Sequence, residues 1–121
     1  IISYNIIMDK IDSLKQLQNI IHKKNLKVLY FTASWCGPCK RIYPLVIEII
    51  NKLPIEMKDK FFLYKIDIDN NDEITTKYKI NKVPTFILID HNGKEIYKFT
   101  GANIDNFKTL LKKGLEICLN K

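Results

Sequence analysis

Runs of consecutive apolar residues alternate along this chain with stretches in which apolar residues recur every three or four positions. That alternation predicts an α/β protein. Residues 27–32 form a continuous run rich in β-branched and aromatic side chains, the pattern of a central strand buried on both faces. Residues 61–67 form a second such run, and residues 3–7 predict a short edge strand ahead of both. Between the first two strands, Asp12 or Ser13 caps a helix in which Leu14, Leu17, Ile20 and Ile21 recur at helical spacing. His22, Lys23 and Lys24 then place cations at its C-terminal end, with His22 a surface residue. Residues 38 to about 53 predict a longer helix with Ile42, Leu45, Val46, Ile49 and Ile50 on its apolar face and a bend at Pro44.

Further along, the cluster Asp69-Asn70-Asn71-Asp72 ends a strand and starts a short helix through Tyr78. It lacks the ligand spacing and terminal Glu of a calcium loop. Residues 85–90 and 94–100 are strands joined at His91-Asn92-Gly93, where Asn-Gly signals a hairpin. Residues 103–120 close the chain as an amphipathic helix with Ile104, Phe107, Leu110, Leu111, Leu115 and Leu119 toward the sheet. The order is βαβαβαββα. Parallel crossovers need helices and an Asn-Gly turn joins antiparallel strands, so the sheet is mixed.

At 121 residues, 46% hydrophobic and 27% charged, residues 1–121 are expected to fold as one globular domain. No apolar run approaches the ~20 residues of a transmembrane helix, so no membrane insertion is expected. A start at Ile1 instead of methionine reads as a processed or trimmed end. The net charge of +7 comes from lysines spread over the whole chain and a single arginine, Arg41. No clustered stripe or recognisable module points to nucleic acid; an acidic protein partner fits the charge better.

The candidate chemistry sits between the first buried run and the long helix, at Trp35-Cys36-Gly37-Pro38-Cys39-Lys40. Two cysteines three positions apart close a disulfide within one turn, which makes the pair reversible. Unpartnered N–H groups at the helix start favour an anionic sulfur at Cys36, the expected nucleophile, while Cys39, deeper in the helix, is the expected resolving thiol. Pro38 gives up no helical hydrogen bond in the first turn, and Gly37 lets another chain approach the sulfur. Lys40 is solvated, with a charge that favours a thiolate nearby. A purely structural disulfide is the first alternative, although such bridges usually span longer loops. Zinc is the second, but Cys118, His22 and His91 form no spaced pair to complete four ligands. Cys118 reads as a small buried thiol of the last helix, with a regulatory or intermolecular disulfide as the alternative.

These residues resemble the thioredoxin family, in which Trp-Cys-Gly-Pro-Cys-Lys marks a reducing dithiol. Val83-Pro84-Thr85 resembles the family's cis-proline loop, Pro44 its helix-bending proline, and Gly101-Ala102 the small pair before its last helix. The resemblance implies a five-stranded mixed sheet in the order 1-3-2-4-5 with helices on both faces. It implies a monomeric thiol-disulfide oxidoreductase that reduces protein disulfides through a Cys36–Cys39 dithiol and a mixed disulfide, with no metal or organic cofactor. Trp35 would shield the reactive sulfur, and the backbone before Pro84 would pair with an extended client. Expected partners are disulfide-bearing client proteins and a thioredoxin reductase or other dithiol donor.

Two positions depart from the family. A buried aspartate common six residues before the first cysteine is Tyr30 here, which leaves Lys65, its usual neighbour, without an acid. The aromatic residue four positions before that cysteine is Thr32. Tyr30 and Lys65 are therefore the candidates for tuning the dithiol, and deprotonation of Cys39 falls to water, Tyr30 or the leaving thiolate. Two other readings stand beside the reductase. One is an oxidase or isomerase, which the family usually equips with histidine at the position of Pro38. The other is a binding subunit: the Ile, Lys and Asn usage resembles proteins of AT-rich genomes such as those of malaria parasites, and a Lys-rich, Ile-rich chain without the buried aspartate resembles a thioredoxin associated with protein export there, which implies a parasite protein-export complex as a partner. That setting would be a parasite vacuole, and otherwise the cytoplasm.

Overall fold

In the computed structural model, which describes residues 8–119, the first buried run forms the middle strand of a five-stranded sheet. The strands are β1 (Asp9–Ile11), β2 (Leu26–Thr32), β3 (Phe61–Asp67), β4 (Thr85–Ile89) and β5 (Glu95–Thr100), ordered β1-β3-β2-β4-β5. β1 and β2 run parallel to β3, whereas β4 pairs antiparallel with both β2 and β5, so the sheet is mixed. The strand expected at residues 3–7 lies outside the described residues; the edge position is held by Asp9–Ile11.

The helices are α1 (Leu14–Ile20), α2 (Gly37–Asn51), α3 (Ile55–Lys58), α4 (Asp72–Lys77) and α5 (Ile104–Leu119). Ser13 caps α1 by accepting from Gln16 N–H at 3.1 Å, while the Gln16 side chain accepts from Asp12 N–H at 2.9 Å. The first bond satisfies an end group of a short helix, and the second ties the residue before the cap to its first turn. Asn103 caps α5 in the same manner, accepting from Asn106 N–H at 3.0 Å. The one-turn α3 was not expected from the pattern, because four residues are too few to show a period.

Every residue of β2 is buried, and the period of two sends alternate side chains to opposite faces. Val28 and Tyr30 join a core with Ile42, Val46 and Ile50 of α2 and Phe107 and Leu110 of α5. Leu29 and Phe31 join a second core with Leu17 of α1 and Ile74 of α4. Tyr30 therefore lies under the helix that starts at the dithiol. From Tyr43 of α2, rings run through Tyr30 (5.8 Å between centroids) and Phe86 (4.9 Å) to Phe99 (a further 4.9 Å). Each such pair adds about 0.5–1.5 kcal/mol beyond its buried area.

Two expected core positions are on the surface. Leu45 and Leu119 are 47% and 81% exposed. Ile42, Val46 and Ile50 already cover the sheet-facing stripe of α2, and α5 packs through Phe107, Leu110, Leu111 and Gly114. The β4–β5 turn is made at His91-Asn92-Gly93 as the pattern predicts, with Asp90 N–H donating to the Lys94 carbonyl at 2.9 Å across its base. Gly93 alone takes a positive φ there, +82°, and Asp90 Oδ1 accepts from both Asn92 N–H and Lys94 N–H at 2.9 Å. The result is a three-residue loop, preceded by a register shift at Leu88/Ile89.

Candidate active site

β2 runs out at Thr32, and the chain turns through Ala33, whose carbonyl accepts from Cys36 N–H at 3.1 Å. Cys36 is the N-cap of α2, in extended conformation, and its Sγ accepts from Cys39 N–H at 3.1 Å. A helix-end N–H thus points at the sulfur, where it stabilises negative charge. Pro38 stands in the first turn, where its missing N–H costs nothing. Cys36 and Cys39 are joined in a disulfide with 5.3 Å between their Cα atoms, inside the roughly 4.4–6.8 Å such a bond spans. Both residues are buried, at 3% and 1% exposure.

Around that disulfide the fold gathers three distant segments. Trp35 stands out at 67% exposure, and its Nε1–H donates to Asp69 Oδ2 at 2.9 Å. The sequence pattern makes Asp69 part of a strand end and helix cap, and Asn71 of the same cluster does stand at the N-cap of α4, without a side-chain cap bond. Asp67 caps the short 3-10 turn Ile68–Asn70, its Oδ1 accepting from Asp69 N–H at 2.9 Å. Val83–Pro84 is a cis peptide, half-buried at Val83 and buried at Pro84. The Thr85 hydroxyl donates to the Lys82 carbonyl at 2.7 Å and lies 3.1 Å from the Thr100 hydroxyl. Gly101 N–H donates to the Pro84 carbonyl at 2.8 Å from a backbone with φ +105°. An added Cβ at Gly101 would meet nothing within 4 Å, so glycine is required there by conformation and not by space.

On the Cys39 side a cavity of about 320 Å³ is lined by Tyr30, Thr32, Ala33, Ser34, Cys39, Lys40, Tyr43, Lys65 and Asp67. The two tuning candidates, Tyr30 and Lys65, do meet here, but neither is bound to a sulfur. The Tyr30 hydroxyl donates to the Cys39 carbonyl at 2.9 Å. Burial pushes its pKa above the ordinary tyrosine value; a hydrogen bond with Thr32 works against this and Tyr43 adds to it. A hydroxyl held protonated in this way is a donor, not a base for Cys39. The Lys65 ammonium lies 5.3 Å from the centre of the Tyr43 ring. Tyr43, which links both groups, carried no signal in the sequence beyond helical periodicity.

The remaining candidates lie elsewhere. Lys40 is exposed at the cavity rim, and Cys118 is a half-buried free thiol bordering another cavity with Leu26 and Lys60. His22 sits against Gly93 of the hairpin. Among the described residues no group of three or more His, Cys, Asp or Glu is able to hold a metal ion.

A cystine at the start of the helix that follows β2, with a cis-proline loop entering β4 where Thr85 pairs with Phe31 near the end of β2, in a 1-3-2-4-5 sheet, defines a dithiol–disulfide oxidoreductase site. The Thioredoxin family model matches residues 9–113, and the chain belongs to the thioredoxin family. Thioredoxin-T of Drosophila melanogaster is 37% identical over 102 residues, 84% of this chain and 61% of that protein. The crystal structure of thioredoxin from Trypanosoma brucei brucei is 32% identical with a TM-score of 0.80, covering 94% of this chain and 96% of that one. The thioredoxin of Plasmodium falciparum is also 32% identical, with a TM-score of 0.76 over 88% of this chain and 98% of that one. In this family the Cys36–Cys39 pair occupies the position of a dithiol protein-disulfide reductase site.

Proposed function

We propose that residues 1–121 form one thioredoxin domain that reduces disulfides in client proteins, with Cys36 as nucleophile and Cys39 as resolving thiol. The contact from Cys39 N–H to Cys36 Sγ, 3.1 Å at the first turn of α2, carries this assignment. It favours the thiolate at Cys36. That thiolate attacks one sulfur of the client, the other client sulfur leaves as a thiolate, and a mixed disulfide forms. Cys39 loses its proton to water and attacks Cys36 Sγ, releasing the second client thiolate. Two electrons pass from the dithiol to the client, whose thiolates take up protons from water. A thioredoxin reductase or another dithiol restores Cys36 and Cys39. Trp35, Gly37, Pro38, Lys40, Val83, Pro84, Thr85 and Gly101 shape the surface that receives the client, and an extended client segment lies along the backbone at Val83.

Replacing Cys39 by Ser is expected to trap the client on Cys36 as a mixed disulfide, visible by mass under non-reducing conditions. The Cys36→Ser protein should trap nothing, and trapping by it instead would reverse the roles. Pro38 supports the reductase over an oxidase or isomerase. Equilibration in graded glutathione buffers separates them, since thioredoxins lie at about −270 mV and protein disulfide isomerase at about −180 mV.

A narrower reading is that this is the second thioredoxin of malaria parasites, linked to their protein-export machinery. The Ile, Lys and Asn usage and Tyr30 in place of the buried aspartate support it. In that setting, reduction would help unfold disulfide-bonded cargo. A tagged chain should then co-purify with the export machinery from the parasite vacuole, and a wholly cytoplasmic distribution would overturn the reading.

A further inference from the structure

We propose that the face around the dithiol selects disulfides flanked by acidic residues, with the Arg41 guanidinium meeting the client's carboxylate. The inference rests on the reductase reading above and names its preferred substrates. Arg41 follows Gly37 by four residues on α2, and long helical side chains lean back toward the helix start. Its Nη1 accordingly lies 3.4 Å from the point a Cβ on Gly37 would occupy, beside the first turn of α2 that carries the dithiol. Lys40 stands beside it at the rim of the Cys39 cavity, and Lys82 leads into Val83–Pro84 from the other side.

All three cations are exposed, and among the described residues none of them is ion-paired. Asp67, which lines the same cavity as Lys40, and the neighbouring Asp69 are already engaged. Asp67 accepts from Asp69 N–H, and Asp69 accepts from the Trp35 indole. Helix stability does not account for Lys40 and Arg41 either. The first turn of α2 contains no acid, and positive charge at a helix N-terminus is unfavourable for the helix itself. What the arrangement favours is an anion arriving in front of it. A guanidinium offers a planar pair of donors to a carboxylate, more directional than an ammonium. An extended segment with Asp or Glu within a residue or two of its cystine would present that carboxylate as its sulfur reaches Cys36.

The test uses two synthetic peptides of equal length with the same cystine, one flanked by Asp and one by Asn. Each is mixed with the pre-reduced protein, and each rate is divided by the rate for the uncharged reductant dithiothreitol. The Asp peptide should be reduced about fivefold faster at low salt, the size of one partly exposed ion pair, with the advantage fading as salt rises. Arg41→Gln should bring the ratio of the two rates toward one, while Arg41→Lys retains part of it. A general effect of Arg41 on the Cys36 thiolate would slow both peptides alike and leave the ratio intact, which would overturn the proposal. So would equal rates for the two peptides in the wild-type protein. If neither peptide were reduced, the reductase reading itself would fall, and this proposal with it.

Discussion

Tyr30 and Lys65 are directly paired across β2 and β3, yet they make no contact with each other's charge or dipole. The Tyr30 hydroxyl turns to the Cys39 carbonyl at 2.9 Å, and the Lys65 ammonium to the Tyr43 ring at 5.3 Å. An aromatic pair has taken the place that a buried acid and lysine would occupy, and it holds the backbone of Cys39 without offering a base.

Substitution at Tyr30 separates packing from polarity. Tyr30→Phe keeps the ring between Tyr43 and Phe86 and deletes one hydrogen bond, for an expected loss of about 1 kcal/mol. Tyr30→Asp empties much of the ring's volume and buries a carboxylate, so a loss of about 3 kcal/mol or more is expected despite the nearby Lys65. Urea denaturation of the two variants measures the difference. Equal stabilities would mean that the ring stack is not what the position supplies.

Stability should fall steeply in alkali. Burial pushes Tyr30, Tyr64 and Tyr78 above their ordinary pKa of about 10, helped by Asp9 at Tyr64 and Glu95 at Tyr78. For a raised pKa the stabilising contribution is complete below the unfolded value and is lost as pH climbs through the folded one. Lys27 has the opposite sign. Its ammonium is buried against the Lys23 and Asp90 carbonyls, and burial lowers its pKa, partly offset by Asp90. As pH rises from its folded pKa to the unfolded one, that group adds stability. Three tyrosines oppose one lysine, so denaturation midpoints should drop beyond about pH 10, and Tyr64→Phe should flatten the drop.

Asp69 should govern the orientation of the chain's single tryptophan. Both partners of the Trp35–Asp69 hydrogen bond are exposed, so Asp69→Ala should cost less than about 1.5 kcal/mol. Trp35 adjoins the disulfide, and its emission should change on reduction in the wild-type protein. An altered change in Asp69→Ala is the expected result; identical spectra in both redox states would show that the hydrogen bond does not orient the ring.

Gly114 lets α5 approach the start of β2 and β3. A Cβ there would meet Phe61 Cε1 at 2.8 Å and Leu26 Cδ1 at 3.0 Å, both in buried side chains. Overpacking costs about 1–3 kcal/mol, against about 1 kcal/mol gained by replacing glycine in a helix. Gly114→Ala should therefore lower the melting temperature slightly. A rise would mean that the Phe61 ring moves aside freely.

Much of the frame was legible locally. The run that became β2, the Ser13 cap, the helix after the dithiol and the antiparallel hairpin all follow from spacings of a few residues. The misplacements have local causes too. Leu45 and Leu119 are apolar at roughly helical intervals, but each helix had already filled the width of its contact with the sheet.

The dithiol was determined by sequence alone, because a bond between residues three apart at a helix start needs only one turn of local geometry. What surrounds it was decided by tertiary structure. Trp35 reaches Asp69 from thirty-four residues away in the chain, and Gly101 closes on Pro84 beneath the cis peptide. Tyr30 meets Cys39 only because the parity of β2 sends its ring to the α2 face. Such contacts depend on strand register and on which face a side chain takes once the sheet is assembled, and no local spacing encodes either.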